Sequence, residues 1–383
     1  MKNIYIVRSI LVIILISNII NLSSQGKKSD KPFEKTIFPE LLIDTHKGDK
    51  NENYILYEPS ALTADSAGNI YIINSRMNCI SKFDSTGGFI KKWGAAGSAP
   101  GEFQFTGPGD SLIVGPDGRL YVVDRGQARV QIFSLDGKYL EGFKVQWADW
   151  PDSIAVAKNG DIYLSVPPAI KLQKRYTIHL YKKYSNGFEF VKEFSDAPAW
   201  LADDDLSRSE ATAIIHLGIS YVVCDEFANI YQVFRNLPII RKFDSSGKML
   251  WQKPIDIRNL PQMKGEHIIY FNFEMKPELL QRNNINSFGR KIFSPGAAVS
   301  NESKRIYIFH MQKYAILEIS LNGDLLGAYY PYGKLQASED DMKNSNTMGK
   351  FWAFMNFAFD ENSSRLLFIG LLNGELWSVH LNN

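Results

Sequence analysis

Asp110, Asp152 and Asn356 carry the kind of oxygens that a hard divalent cation takes, two carboxylates and an amide. Pointed at one axis, they could hold Ca2+, which wants oxygen ligands. The same residues would also serve as strand-end caps bonded to channel water. Arg125 and Arg235 could grip an anion with bidentate guanidinium hydrogen bonds. Trp147, Trp150 and the pair Phe351-Trp352 could form a stacking surface for a sugar or a peptide, or else pack away as wedges. Catalytic signatures are scarce. The histidines, His46, His179, His216, His267, His310 and His380, form no H-x-H or H-E-x-x-H spacing. There is no G-x-S-x-G elbow, phosphate-binding loop or dinucleotide fingerprint, and Gly107-Pro108-Gly109 reads as a turn.

Residues so far apart in the chain can share a site only if a repeat brings them together, and the chain is repetitive. Pro59 to Asp65, Asn69 to Ile73, Ile80 to Asp84 and Phe89 to Trp93 are four short strand-like runs joined by Gly- and Asp-bearing turns. Four such strands in about forty residues make one propeller blade. The pattern returns with Tyr71, Tyr121, Tyr163, Tyr231, Tyr307 and Phe368 at the same place in the second strand, spaced by 50, 42, 68, 76 and 61 residues. A bare blade needs about 40–45 residues, so insertions are expected near 195–215, 256–290 and 329–350, with Pro277 to Gln281 a candidate short helix. The reading is an all-β, six-bladed propeller of four-stranded antiparallel blades. Blade six ends at Asn383 one strand short. Phe33 to His46, with Thr36-Ile37-Phe38 and Leu41-Leu42-Ile43, is expected to supply its outer strand and close the ring. Aligned blades put Ser60, Asp110, Asp152, Ser220, Gly296 and Asn356 at the start of the inner strands, ringing one mouth of the channel. Loops between second and third strands add Arg76, Arg125, Arg235, His310 and Tyr314 to that face.

Blades one and two resemble NHL repeats. Gly118 to Phe133 carries the match, with Asp124 after the second strand and Arg129-Val130-Gln131-Ile132-Phe133 at the R-I-x-x-F position. Gly97-Ser98-Ala99-Pro100-Gly101-Glu102-Phe103 resembles the G-x-x-P-G-E-F linker between such repeats. The whole is similar to exported six-bladed bacterial propellers, strongly through residue 165 and weakly from blade four onward. The resemblance implies the fold and says little of activity. Related lactonases hold a divalent cation over the channel with acidic and amide residues, which would map to Asp110, Asp152 and Asn356. Peptide-amidating lyases of this kind hold zinc with three histidines from different blades. Only His216 and His310 could face the channel here.

The remaining bounds concern compartment and partners. Lys2 and Arg8, the apolar run Ser9 to Ile20 and the polar Asn21 to Ser24 read as a signal peptide, 1–24, before a single domain, 25–383. An uncleaved anchor is the alternative. No cysteine lies near the cleavage region, so a secreted or periplasmic protein without a lipid anchor is expected. Losing the leader takes the formal charge from +2 to zero. That leaves no field for nucleic acid, and Lys171 to Arg175 reads as solvated loop. Cys79 and Cys224 fall on opposite blades, too far apart to bond. The expectation is a monomeric exported module binding a peptide, glycan or protein. The alternative is a divalent-metal-dependent lactonase, hydrolase or lyase.

Overall fold

The structure is a computed structural model that describes residues 31–43, 52–107, 109–167, 176–196, 218–257, 260, 296–310, 315–331, 354–370 and 374–381. The leader, Pro277 to Gln281, Lys171 to Arg175, Tyr314, Trp352, His46, His216 and His267 lie outside the described residues, as do most of the expected insertions.

Six antiparallel blades follow one another along the chain. Blade one is β3 (Pro59–Ala64), β4 (Ile70–Asn74), β5 (Cys79–Phe83) and β6 (Phe89–Trp93); blade two is β7 (Ser111–Val114), β8 (Arg119–Asp124), β9 (Arg129–Ser134) and β10 (Tyr139–Lys144). Blade three is β11 (Ser153–Val156), β12 (Ile162–Ser165), β13 (Tyr176–Tyr184) and β14 (Gly187–Asp196); blade four is β15 (Ser220–Cys224), β16 (Ile230–Phe234), β17 (Ile239–Phe243) and β18 (Met249–Pro254). Blade five is β19 (Ala297–Ser300), β20 (Arg305–His310), β21 (Ala315–Ser320) and β22 (Leu325–Pro331); blade six has β23 (Phe354–Asp360), β24 (Arg365–Gly370) and β25 (Leu376–His380). Each inner strand packs beside the next, and β23 returns to β3, so the ring closes.

The N-terminal strands complete the ring. β2 (Glu40–Ile43) pairs antiparallel with β25 as the outer strand of blade six, as expected. β1 (Phe33–Ile37) goes elsewhere: it runs parallel to β22 as a fifth strand on blade five. The close approach of Phe33 explains the choice, since a side chain on Gly327 would meet its ring at 2.4 Å. One segment thus ties blade five to blade six.

Burial follows radial position. The β-branched and aromatic second strands, such as Ile70-Tyr71-Ile72-Ile73-Asn74, are buried on both faces because each blade lies between two others. Outer strands alternate, as in Tyr139–Lys144. The core is a ring of wedges between neighbouring blades, from the first and second around to the sixth and first. All six marker aromatics lie buried in it, but the expected alignment slips in blade six: Phe368 faces the seam with blade five, and Leu367 holds the place that the five tyrosines take toward the next blade.

A polar clasp fixes the strand turns. Asp65 Oδ1 accepts the backbone N–H groups of Ala67 and Asn69, while Oδ2 accepts the Asn69 amide and the Tyr71 hydroxyl, each at 2.9 Å. Asp225, Phe227, Asn229 and Tyr231 repeat the clasp in blade four. Blade four is therefore a strict repeat at its turn.

Three insertion limits shift. Ser195 and Asp196 finish β14, where Ser195 Oγ donates to Gln232 Oε1 at 2.5 Å. Ile257 and Leu260 are buried between blades four and five. Tyr329 and Tyr330 belong to β22, and the Tyr329 hydroxyl donates to Glu318 at 2.6 Å. In each case buried side chains hold the expected loop residues to the blade. Cys79 and Cys224 are both free thiols. No helix among the described residues is long and apolar enough to cross a membrane.

Candidate functional site

Asp110 ends a tight turn that leads into β7. Its backbone N–H donates to Gly107 O at 3.0 Å. Its Oδ2 accepts the backbone N–H groups of Thr106 at 2.8 Å and Gly107 at 2.7 Å. Gly109 carries φ +109° against the Arg125 guanidinium, and an added Cβ would sit 2.8 Å from its Nη1. Glycine is needed there for the conformation and for the close approach. From blade one, the Ser75 hydroxyl donates to Ser60 Oγ at 2.7 Å and lies 3.5 Å from Asp110 Oδ2.

Asp152 holds the same place in blade three, with its N–H on Ser165 O at 2.8 Å. Arg125, at the turn after β8, reaches across from blade two and donates through Nη2 to Asp152 Oδ1 at 3.1 Å. Its guanidinium carbon lies 5.4 Å from the centre of the Trp150 ring, within cation–π range. One arginine therefore touches the Asp110 turn, Asp152 and an indole.

Among the described residues, no protein group donates to the buried Asp110 Oδ1 or Asp152 Oδ2. Asp110 is 2% exposed and Asp152 6%. Burial raises the Asp110 carboxyl to about 7 against its two backbone donors and Arg125. Burial raises Asp152 to about 6 against the pull of Arg125 and then Arg235. The Tyr221 phenol, also pushed up by burial, feels the opposing charge of Arg235 and the reinforcing charge of Asp152. Arg235 thus belongs to the same electrostatic neighbourhood.

The other expected residues sort by position. Ser220 turns into the seam between blades three and four, where its hydroxyl meets Ser165 Oγ at 2.9 Å and accepts the Gln232 amide at 2.8 Å. Trp147 and Trp150 are about half exposed, not wedged between blades. Trp147 sits at φ +57°, and its ring meets His179 and Phe190 edge-on. His179 is buried, with Nε2 3.5 Å from Asp149 and 3.7 Å from Glu193. Asn356 is not at the expected strand start: it lies within β23, registered with Ile369 as Ala61 is with Ile73 in blade one, one place past the position of Ser60; its side chain is outside the described residues. His310 is buried at the end of β20. Arg76 faces outward toward Glu58. Ser75, one position earlier, faces the mouth instead, and the repeat offered the signal: Ser75 follows β4 as Arg125 follows β8. Tyr221 and the donors of Thr106 and Gly107 carried no sequence signal.

The described groups do not fit the expected Ca2+ site. One oxygen of each aspartate is already engaged, and a guanidinium lies beside both. Ca2+ takes six to eight oxygens. No group of three or more His, Cys, Asp or Glu among the described residues is arranged to hold a metal.

The family described as a 6-bladed beta-propeller matches residues 51–233. No curated protein matches the chain in sequence. Among solved structures, the chain is similar to a virginiamycin B lyase from Staphylococcus aureus, at 12% identity and TM-score 0.51, over 90% of this chain and 99% of that one. A streptogramin B lyase gives 12% identity and TM-score 0.50 over 90% and 97% of the two chains. A protein of unknown function from Bacteroides thetaiotaomicron gives 10% identity and TM-score 0.51 over 89% and 75%. At such identities the likeness is one of fold. It carries no argument about the cluster of Ser60, Ser75, Asp110, Arg125, Trp150 and Asp152.

Proposed function

We propose that this chain is an exported ligand-binding β-propeller that takes its ligand at the channel mouth beside Arg125, Asp152 and Trp150. One observation carries the reading: two buried carboxylates each keep an oxygen that no protein group among the described residues satisfies, beside an exposed indole. A buried polar atom without a partner costs stability, and a ligand that supplies the partner recovers that cost on binding. Export rests on Lys2, Arg8 and the apolar run Ser9 to Ile20. A metal-dependent lactonase or lyase is the weaker reading, because the oxygens that Ca2+ needs are partly committed to Arg125 and to backbone donors.

The test is a thermal-shift screen of the purified chain with peptides, glycans, Ca2+ and EDTA. A ligand that binds the folded state raises its melting temperature by mass action. The expected result is a shift from an organic ligand that is lost in Trp150→Ala and kept in Leu250→Ala, an exposed apolar residue of blade four. A shift that survives Trp150→Ala, or one caused by Ca2+ and removed by EDTA, counts against it.

A further inference from the structure

The mouth's own chemistry narrows what could bind there, if the ligand site is where we place it. We propose that the ligand is a neutral glycan, whose ring stacks on the Trp150–Trp147 rim and whose hydroxyls donate to Asp110 Oδ1 and Asp152 Oδ2.

Four observations support the choice. Ionised, the open atoms Asp110 Oδ1 and Asp152 Oδ2 are acceptors, so above about pH 7 the missing partners are donors. The local charge is balanced, with Asp110 and Asp152 set against Arg125 and Arg235. A cationic ligand would face the two guanidiniums and an anionic one the two carboxylates, whereas a hydroxyl meets neither penalty. Both oxygens are buried in the free chain, so a ligand must open the mouth to reach them, and a hydroxyl on a flat body needs less room than an ammonium with its hydration shell. The rim supplies the flat surface: Trp147 and Trp150 are exposed on the single connection from β10 to β11. An indole offers a sugar ring an apolar face, while its N–H can still bond outward.

The backbone at Trp147 points the same way. A bulky residue with positive φ is strained, and such strain gathers where the surroundings hold a side chain for a purpose. Here the edge-on contacts with the His179 and Phe190 rings hold the indole in place while leaving half of it exposed.

The test is a glycan array probed with the purified chain, carrying neutral, uronic-acid and sulfated oligosaccharides, with oligolysine peptides alongside. Neutral oligosaccharides should be retained, and titrating one should change tryptophan fluorescence. Trp150→Ala, at an exposed position, should weaken binding about tenfold or more. At pH 8, where Asp110 is ionised, Asp110→Asn should weaken it by a similar factor, about tenfold, because the acceptor becomes an amide donor. That variant is expected to be no less stable than the parent, so its loss of affinity would not come from unfolding. An array that retains no neutral glycan overturns the proposal, as does retention unchanged in both variants. Binding of only oligolysine or anionic glycans, lost in Trp150→Ala, overturns the glycan assignment and leaves the mouth as the site. Binding of any probe that both variants leave untouched removes both readings.

Discussion

Replacing Asp110 with Asn should make the protein more stable at neutral and alkaline pH, an unusual outcome for a buried position. Asp110 is 2% exposed, and burial lifts its carboxyl from 3.8 to about 7. A carboxyl whose folded pKa lies above its unfolded value binds its proton more tightly in the native state. The stability from that proton is complete below about pH 4 and is lost as pH rises through 7. At 1.36 kcal/mol per unit, the ionised carboxylate costs roughly 4 kcal/mol once the pH exceeds both values. An amide carries no such charge. Its oxygen can keep the Thr106 and Gly107 donors, and its NH2 takes the place of the protonated oxygen. Parent and variant should be compared by urea denaturation at pH 5 and pH 8. Asp152 titrates in both proteins, so most of its contribution cancels. The variant's advantage should grow by roughly 3 kcal/mol from pH 5 to pH 8, the part of the titration lying in that window. An advantage that does not change with pH, or a variant weaker by the same amount at both, would refute the claim that Asp110 is a strained buried acid.

Arg125→Met should be costly in the opposite sense. Removing the partner of a buried carboxylate costs about 3–5 kcal/mol, and the loss should appear in the same urea assay at pH 8 and shrink at pH 5, where Asp152, at about 6, is mostly protonated. A loss equal at both pH values would mean that Arg125 acts by packing alone. Tyr71→Phe and Tyr231→Phe each remove one hydroxyl donor from a buried carboxylate at the same 2.9 Å distance. Each should cost about 1–2 kcal/mol and the two should add, because the clasps lie on separate blades; a clear inequality would show that the two turns are not equivalent.

Much of the fold was legible because blades are local. Tyr71, Tyr121 and Tyr163 are buried for a reason the sequence states directly, a β-rich run bracketed by Asp and Gly turns. Ring closure by Leu41 to Ile43 followed from an unpaired edge in blade six. The parallel seating of Phe33–Ile37 did not, because it depends on the room that Gly327 leaves some three hundred residues away. Blade four looked irregular in its strands, yet Asp225, Asn229 and Tyr231 keep the turn chemistry of blade one. That Asp110 and Asp152 hold equivalent places just before an inner strand could be read from repeat position alone. Their engagement could not, since the partner of Asp152 comes from the neighbouring blade and the partners of Asp110 are backbone N–H groups. The Ca2+ expectation rested on residue types that suit the ion, and the guanidinium beside both carboxylates could not be read from them.

The mouth is where the repeat is broken, and the break has a direction. Equivalent inner-strand positions in blades one to four carry Ser60, Asp110, Asp152 and Ser220, each three residues before the partner of the marker tyrosine, while Gly296 and Asn356 stand one place later in their blades, so the ring presents no uniform set of ligands. Ser60 and Ser75 lean toward Asp110, while Ser220 is drawn into the seam with Ser165 and Gln232. The acidic groups with open oxygens fall on blades two and three, and so does the strained loop with Trp147 and Trp150. A symmetric ring of acceptors could bind a sphere, such as a metal ion, on the axis. Acceptors and aromatics gathered on one third of the rim instead suit an elongated ligand, one end anchored over the channel and its body lying outward along the loop from β10 to β11. That geometry, more than any single residue, favours an oligomeric ligand over an ion at this mouth.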